Sequence, residues 1–187
     1  MDLNDAIYKR RACRDYTTAV ASRPVVMSLL RAAVQAPSGM DAQPWVFGIF
    51  QGRKQLQDFS DRAKLHFLKV FDPGRDPHAM RREMLADPKF NLFYNASTLV
   101  VVYARPRGQF ASVDCCLAAQ NLMLAAWGKG LGTCPIGFAQ PWLDLTEVKD
   151  ELGIPNDYTA VLPIIVGYPA KVPDPVPRKE PEIANWR

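Results

Sequence analysis

Helical spacing of apolar residues recurs in several stretches of the chain. Such spacing predicts one helix in each of the ranges 3–11, 24–36, 53–70 and 143–152. A further helix is predicted to begin at Asp76, where the Asp76-Pro77 pair provides a cap and a first turn, and to end at Asp87. In the helix over 53–70, Leu56, Phe59, Ala63 and Phe67 share one face. That face is expected to be buried.

Three shorter runs are apolar on both alternating faces, which is typical of strands inside a sheet. They cover residues 45–50, 97–104 and 160–167. Pro163 lies within the last of them and has no backbone N–H, so we expect this strand to have an unpaired edge near that residue. Helices and strands thus alternate along the chain without internal repeats.

A third pattern covers residues 112–127, which are predicted to form a helix that is apolar on almost every side. Ser112 is a candidate cap and Asp114 falls in the first turn, where the helix dipole favours a carboxylate. The helix is too short and too interrupted by polar residues to span a membrane. It is either the central post of the fold or half of a subunit interface. Gly128 and Gly130 end it.

Glycine and proline shape the remaining segments. Residues 131–138 carry a backbone suited to close approach by another part of the molecule. Residues 36–45 form a loop in which Ser38, Asp41 and Gln43 can hydrogen-bond to the backbone. From Tyr168 onward five prolines predict an extended arm, 168–187, that lies over a surface. With no separate linker, residues 1–187 are expected to be one domain.

Charge adds one candidate site. The net charge is +4, and four of the cations fall within residues 9–14. Such a cluster is either a solvated surface patch or a phosphate site, since arginine matches phosphate oxygens two at a time. It is too short for extensive nucleic-acid contacts, so an anionic small molecule is the better partner.

Cysteine and histidine usage predicts no metal site. The four cysteines form no C-x-x-C pair, and only His66 and His78 could assist them; both are expected at the surface. We expect free thiols, with Cys115 and Cys116 buried for packing. The residues after Met1 show no apolar leader, which favours a cytoplasmic protein.

Several motifs occur in an order that resembles the flavin-dependent nitroreductase family over essentially the whole chain. The motifs are Arg10-Arg11-Ala12-Cys13-Arg14, then Ala36-Pro37-Ser38-Gly39 with Gln43-Pro44-Trp45, then Asp114 with Gln120-Asn121 and Gly130-Leu131-Gly132-Thr133, and finally Gly167-Tyr168-Pro169 before Arg178-Lys179.

The resemblance implies an α+β fold in which helices wrap a mixed central sheet and two subunits interlock with two FMN molecules at their interface. It implies that Arg10, Arg11 and Arg14 hold the phosphate and ribityl chain, and that Arg178 or Lys179 returns to the phosphate. Pro37, Ser38, Gly39 and Gln43 would reach the flavin from the other subunit. Pro135, Ile136 and Gly137 would line the ring, with the Gly137 N–H near N5. The apolar helix would then be the dimer core.

Two positions depart from the family pattern. Asp41 stands where the family usually has Asn, and Ala12 stands where a Ser often contacts phosphate. Residues 53–94 show no family pattern, although they contain the aromatic run 90–94. That run is either an edge of the core or a wall that stacks on a planar ligand.

The chain has few acid–base candidates, which suits an enzyme whose cofactor does the chemistry. The expected activity is reduction of nitroaromatic or quinone-type planar acceptors by NAD(P)H through FMN, in alternating half-reactions. The alternatives are a flavoenzyme of the same fold with another acceptor (a reductive dehalogenase or a flavin-consuming enzyme) and a non-catalytic flavin-binding redox sensor.

Overall fold

A four-stranded sheet carries the core of the computed structural model, which describes residues 2–70 and 79–187. The strands are β1 (Trp45–Gln51), β2 (Thr98–Ala104), β3 (Gly132–Pro135) and β4 (Thr159–Gly167). The helices in the described ranges are α1 (Leu3–Lys9), α2 (Arg23–Ala33), α3 (Arg53–Val70), α4 (Ala79–Ala86), α5 (Ala111–Gly128), α6 (Gln140–Leu143) and α7 (Thr146–Leu152). This is the expected α+β architecture.

The strand order is β1-β2-β4-β3, and each neighbouring pair is antiparallel. Phe47 pairs with Val102, and Val100 pairs with Ile164. A parallel bridge joins Ala12 to Thr133 of β3, which adds the parallel pairing of a mixed sheet.

Pro163 lies in β4, between β2 and β3 in the sheet. The β3–β4 ladder ends where Pro135 faces Ile164, one residue from Pro163. The carbonyl of Pro163 accepts the N–H of Ile136 at 2.8 Å, beyond the last ladder pair. Pro163 is paired with Val101 of β2, but the ladder on the β3 side of β4 ends beside it, so the prediction of an unpaired edge near this residue is confirmed.

Both faces of the sheet are covered, because side chains alternate along each strand. On β2, Leu99, Val101 and Tyr103 pack with α3 and α6 in one cluster that includes Phe59 and Trp142. Val100, Val102 and Ala104 pack on the other face with α2 and α5. All seven residues of β2 are buried, which explains why its sequence is apolar without interruption.

The strand β3 was not predicted. It has four residues, begins with Gly132 and ends with Pro135, so it lacks the length and the alternation that mark a strand in sequence. Backbone pairing with β4 on one side and with Ala12 on the other stabilises this strand, although its own residues do not favour one.

Helix α5 is less enclosed than its composition predicts. Ala118, Ala119 and Leu122 are buried against the sheet and α2, whereas Val113 is 57% exposed and Leu117 is 42% exposed. One apolar face of the helix is therefore open to solvent in the single chain.

Two predictions about α5 are wrong. Cys116 lies on its open face and is exposed, although Cys115 is buried as expected. Ser112 is not the cap, because the chain turns earlier: Phe110 holds that position and the helix begins at Ala111. All four thiols are free, as predicted.

Other boundaries shift for local reasons. Helix α1 ends at Lys9 because Ala12 is already paired with β3. The helix predicted over 143–152 is divided because Leu145 is extended; α7 ends at Leu152 and is capped by Gly153, whose φ is +68°. His66 is half-buried on α3. His78 and the helix start expected at Asp76-Pro77 lie outside the described residues. No helix in the described part of the chain is long and apolar enough to cross a membrane.

Candidate active site

The arginine-bearing segment after α1 lies along the outer edge of β3. The N–H of Cys13 donates to the carbonyl of Thr133 at 2.9 Å. Farther along, Tyr16 forms a bridge with Pro169, and the N–H of Thr17 donates to the carbonyl of Tyr168 at 2.9 Å. The segment is thus held in extended form between β3 and the beginning of the C-terminal arm.

Two glycines make this approach possible. A Cβ on Gly132 would lie 2.6 Å from the Cβ of Cys13, and a Cβ on Gly167 would lie 2.8 Å from Cδ1 of Tyr16. Neither distance is compatible with a side chain. The close approach predicted for residues 131–138 is confirmed, and what approaches is the arginine segment.

This packing gathers Arg10, Arg11 and Arg178 into one group of positive charges. Burial lowers the pKa of Arg10, and the charges of Arg11 and Arg178 lower it further. Within the described residues, no carboxylate lies at ion-pair distance from these three side chains or from Arg14. A partly buried cation group without a counter-charge is a favourable place for an anion.

The arginines have different local roles. Arg11 donates from Nη1 to the carbonyls of Tyr8 and Arg10, both at 2.7 Å, and from Nη2 to Val176 at 3.5 Å. Its Nε is buried and has no partner in the part of the chain described. Arg11 therefore joins α1 to the arm, while Arg10 and Arg14 keep their guanidinium groups available.

Arg178 and Lys179 also differ in their surroundings. The charge of Arg178 lowers the pKa of Arg10, and Nη1 of Arg178 donates to the Pro177 carbonyl at 3.4 Å. Lys179 is exposed and forms no hydrogen bond or ion pair among the described residues. The arm thus brings Arg178 to the cluster.

A cavity of about 540 Å³ opens beside these charges. It is lined by Arg14, Phe90, Leu92, Tyr94, Cys134 and residues 135–138. Burial raises the pKa of the Cys134 thiol, whereas the charges of Arg14 and Arg10 lower it, so this wall lies within the field of both arginines.

Gly137 faces open space in this cavity. A Cβ there would meet no atom within 4 Å. The carbonyl of Gly137 accepts the N–H of Gln140 at the end of the 3₁₀ turn Gly137–Ala139. The N–H of Gly137 has no acceptor in the described ranges. The chain therefore presents a free backbone donor beside Pro135 and Ile136.

Phe90 and Tyr94 form the aromatic side of the cavity. Their rings meet edge to face at 5.5 Å, and the guanidinium of Arg14 lies 5.8 Å from the centre of the Tyr94 ring. Leu92 and Phe93, by contrast, are buried in the core. The run 90–94 is thus both an edge of the core and a cavity wall.

Three polar side chains on one face of α3 fix this aromatic segment. Lys64 donates from Nζ to the Phe90 carbonyl at 2.7 Å, and Ser60 accepts the N–H of Leu92 at 2.8 Å. Gln57 accepts from Nδ2 of Asn91 at 2.6 Å. Sequence analysis missed these residues. Their spacing of three and four positions was a detectable signal, since it places them on one helix face.

The loop before β1 is organised by its own polar groups. Ser38 accepts the N–H of Gln43 at 3.1 Å, and Gln43 donates from Nε2 to Asp41 at 2.7 Å. The N–H of Gly39 donates to both carboxylate oxygens of Asp114, at 3.2 and 3.3 Å. Asp114 thus fixes the loop to the first turn of α5.

This loop and the arginine group do not meet within one chain. The loop lines a separate cavity of about 430 Å³ with Gly39, Met40, Ala42, Phe110 and Asp114 among its walls. The two cavities have no lining residue in common. Met40 is fully exposed at the tip of the loop, with φ of 53°.

Comparison with known proteins gives a consistent result. A model described as "Nitroreductase family" matches residues 7–168. An iodotyrosine deiodinase from Thermotoga neapolitana is 27% identical over 95% of this chain and 94% of its own length. A 4-nitrobenzoate reductase from a Nocardioides species is 29% identical over 88% of this chain and 79% of its own.

A solved structure shows the same fold. The nitroreductase from Bacteroides fragilis, crystallised with bound FMN, superposes with a TM-score of 0.78 and 26% identity. The match covers 98% of this chain and 96% of the other.

Proposed function

The chain belongs to the nitroreductase family, and from this we propose that it binds FMN and uses NAD(P)H to reduce nitroaromatic or quinone-type acceptors. The observation that carries the proposal is the group of arginines without carboxylate partners at the edge of a cavity. A dianionic phosphate is the ligand that such a group stabilises best.

The residues fit the two chemically different ends of FMN. Arg10, Arg14 and Arg178 offer charge-assisted hydrogen bonds to a phosphate, and each contributes roughly 1.5–3 kcal/mol. The family relative from Bacteroides fragilis carries FMN, which supports the same cofactor here. Arg11 acts mainly by holding the arm near the phosphate end.

The cavity fits the planar end. Its volume of about 540 Å³ is in the usual range for small-molecule sites, and Pro135 and Ile136 offer apolar walls. The unpaired N–H of Gly137 would donate to the ring nitrogen N5. When bound, the flavin supplies hydride chemistry, so the chain needs no acid–base residue of its own for that step. The protein's role is to hold and orient the two reactants.

A homodimer would complete this site. The open face of α5 carries Val113 and Leu117, and the loop containing Pro37, Ser38, Gly39 and Gln43 lines a cavity apart from its own chain's arginines. Pairing two α5 faces would cover the apolar surface. The loop of one subunit could then contact the flavin held by the arginines of the other.

Reductive dehalogenation is the second candidate function. The deiodinase from Thermotoga neapolitana matches 95% of this chain. A crystal structure of an iodotyrosine deiodinase, bound to FMN and 3-iodo-L-tyrosine, superposes with a TM-score of 0.75 and 27% identity. A non-catalytic flavin-binding redox sensor would share the cofactor site but transfer no electrons to these acceptors.

The test begins with the absorbance spectrum of the protein after FMN loading and removal of free flavin. We expect retained flavin bands, bleaching on anaerobic addition of NADH or NADPH, and reoxidation by a nitroaromatic or quinone. Halide release from an iodophenol would favour the second candidate, and bleaching without turnover of any acceptor would favour the sensor. A protein that retains no FMN contradicts all three.

A matched pair of variants tests the phosphate site. Arg178→Gln should weaken FMN retention about tenfold or more, as expected from the loss of one charge-assisted contact. Lys179→Gln, at the next position of the arm, should leave retention unchanged. Equal effects of both changes would show that Arg178 does not contact the cofactor.

A further inference from the structure

A second cleft lies directly beside the cavity proposed for the flavin. We name it the cationic cleft: it measures about 370 Å³, and its walls include the charged residues Arg14, Asp15, Arg53 and Lys89 and the rings of Phe90 and Tyr94. Arg53 and Lys89 belong to the part of the sequence in which no family pattern was recognised. Neither is part of the arginine group described above.

The charge of this cleft is uncompensated. Three cations, Arg14, Arg53 and Lys89, face the single carboxylate of Asp15, and two of them remain when Arg14 is assigned to the cofactor phosphate. Throughout the described ranges, none of the three forms an ion pair. Behind the cleft, the nearby Lys64 ammonium is already occupied by the carbonyls of Asp87 and Phe90 and by Asp61. The cleft therefore has a net positive lining that a bound anion would balance.

The side chain of Arg53 and the backbone of Lys89 are held in place before any ligand arrives. Arg53 is the first residue of α3, and its Nη2 donates to the Thr17 carbonyl at 2.7 Å. Its remaining N–H groups are left for a ligand. The backbone N–H of Lys89 donates to Asp87 at 2.8 Å, which fixes the turn that carries its ammonium group.

The two spaces are connected through shared walls. Arg14, Phe90 and Tyr94 line both the cationic cleft and the larger cavity. A planar molecule beside the edge-to-face pair of Phe90 and Tyr94 can therefore extend a substituent toward Arg53 and Lys89. Such geometry favours a ligand with an aromatic body and a negatively charged end.

We propose that the cationic cleft binds an oxyanion carried by the acceptor or nucleotide donor that reacts with the flavin in the adjoining cavity, with Arg53 and Lys89 as the residues that select it. The oxyanion is the carboxylate or sulfonate of an acceptor, or a phosphate of the nucleotide donor. This inference rests on the proposed function, because it assigns the substrate class of that same site. It concerns specificity and adds no chemical step.

The experiment compares two acceptors on FMN-loaded protein. One is the anion 4-nitrobenzoate, and the other is the nearly isosteric neutral compound 4-nitrobenzamide. The variants are Arg53→Gln and Lys89→Gln. Lys54→Gln is the matched control, since Lys54 is the next exposed cation on α3 and does not line the cleft. Because the half-reactions alternate, kcat/KM for the acceptor and the rate of flavin reduction by NADH or NADPH report on the two partners separately.

If the acceptor supplies the oxyanion, each variant lowers kcat/KM for nitrobenzoate about tenfold, as for one lost charge-assisted contact, and leaves nitrobenzamide unchanged. If the nucleotide donor supplies the oxyanion, each variant slows flavin reduction at low nucleotide concentration and leaves kcat/KM unchanged for both acceptors. Lys54→Gln changes nothing in either arm. Calorimetric titration of both nitro compounds gives the charge preference without turnover.

Equal losses for the carboxylate and the amide overturn the proposal, as does the absence of any effect in both arms. Loss of FMN retention in Arg53→Gln or Lys89→Gln also overturns it, because the cleft would then hold the cofactor's phosphate. A wild-type protein that retains no FMN contradicts the proposed function instead, and this result is visible in the absorbance spectrum before any acceptor is added.

Discussion

Gly132 and Cys13 occupy adjoining space so closely that only one of them can carry a side chain. A Cβ on Gly132 would lie 2.6 Å from the Cβ of Cys13 and 2.7 Å from its sulfur. This contact joins β3, which leads into the wall at Pro135–Gly137, to the segment that carries the arginines. The two halves of the proposed cofactor site can thus pack this closely only because residue 132 has no side chain.

Gly132→Ala should therefore separate the arginine segment from β3. We expect a loss of about 1–3 kcal/mol in the free energy of unfolding, as for other overpacked sites, measured by urea denaturation. FMN retention should fall as well, since Arg10 and Arg14 would move relative to the cavity.

Gly128→Ala serves as its control, because a Cβ at Gly128 would meet no atom within 4 Å. The double variant Gly132→Ala/Cys13→Gly, which moves the Cβ from one residue to the other, should recover part of the loss. If Gly132→Ala proves as stable as the wild type, the close approach does not determine the position of the segment.

Asp114→Ala should release the loop that contains Gly39. The carboxylate accepts the Gly39 N–H and is itself buried, so its removal should lower the free energy of unfolding by about 1.5–3 kcal/mol. Hydrogen exchange at Gly39 should accelerate. Asp114→Asn keeps one acceptor oxygen and should show a smaller effect; equal losses from the two variants would contradict this assignment.

The ion pair between Arg62 and Glu151 should give a pH dependence to stability. Arg62 donates to both oxygens of Glu151, at 2.8 and 2.5 Å, and holds the pKa of that carboxyl below its usual 4.5. The folded protein binds this proton less readily than the unfolded chain does. The pair therefore stabilises the fold above pH 4.5, and the contribution is lost as the pH falls through the lowered pKa.

The stability difference between wild type and Glu151→Gln should accordingly be constant above pH 4.5 and shrink below it. Urea denaturation at several pH values measures the difference. Glu147→Gln, on the same helix but without an ion pair among the described residues, should show no such change. A difference that grows on acidification would reverse the sign and refute the assignment.

Leu117→Glu tests the proposed dimer. A carboxylate in the middle of the open face of α5 should prevent two such faces from pairing, because burying it unpaired is costly. Analytical ultracentrifugation should then show a monomer, and FMN retention should fall because the loop of the partner is lost. Leu65→Glu changes a residue that is 60% exposed on α3 and should leave both properties unchanged.

Thiol labelling gives an independent view of the same face. In labelling at about pH 8, Cys116 should be protected in the dimer and modified in Leu117→Glu. Cys115 should resist labelling in both, because burial raises the pKa of its thiol to about 12. Mass spectrometry of the labelled peptides separates the two positions. Rapid labelling of Cys116 in the wild type would count against an interface formed by α5.

Sequence reasoning located most elements because their patterns are local. Helix α3 spans residues 53–70, as its apolar spacing predicts, and the strands β1, β2 and β4 fall where apolar residues continue on both faces. It failed for β3, which has too few residues to show a pattern. It also failed for Cys116, because an apolar helix does not reveal which of its sides the rest of the chain covers.

The residues of the candidate site also fall into those that a local pattern reveals and those that it does not. Its charges were evident in the sequence, since four cations crowd into residues 9–14 and an arginine follows in the arm. The supports of the aromatic wall were missed, because the spacing that places Gln57, Ser60 and Lys64 on one helix face is also typical of the solvent-exposed side of a surface helix.

The amino-acid order was enough to establish the kinds of element, the family and the arginines proposed to bind an anion. Helix and strand patterns and charge density are properties of neighbouring residues, so they can be read without the fold. Three relationships became visible only in the folded chain: Cys13 packs against Gly132, the Gly39 loop lies apart from the arginines of its own chain, and Arg53 and Lys89 line one cleft. These relationships join residues distant in the chain, and their existence depends on packing that no local pattern records.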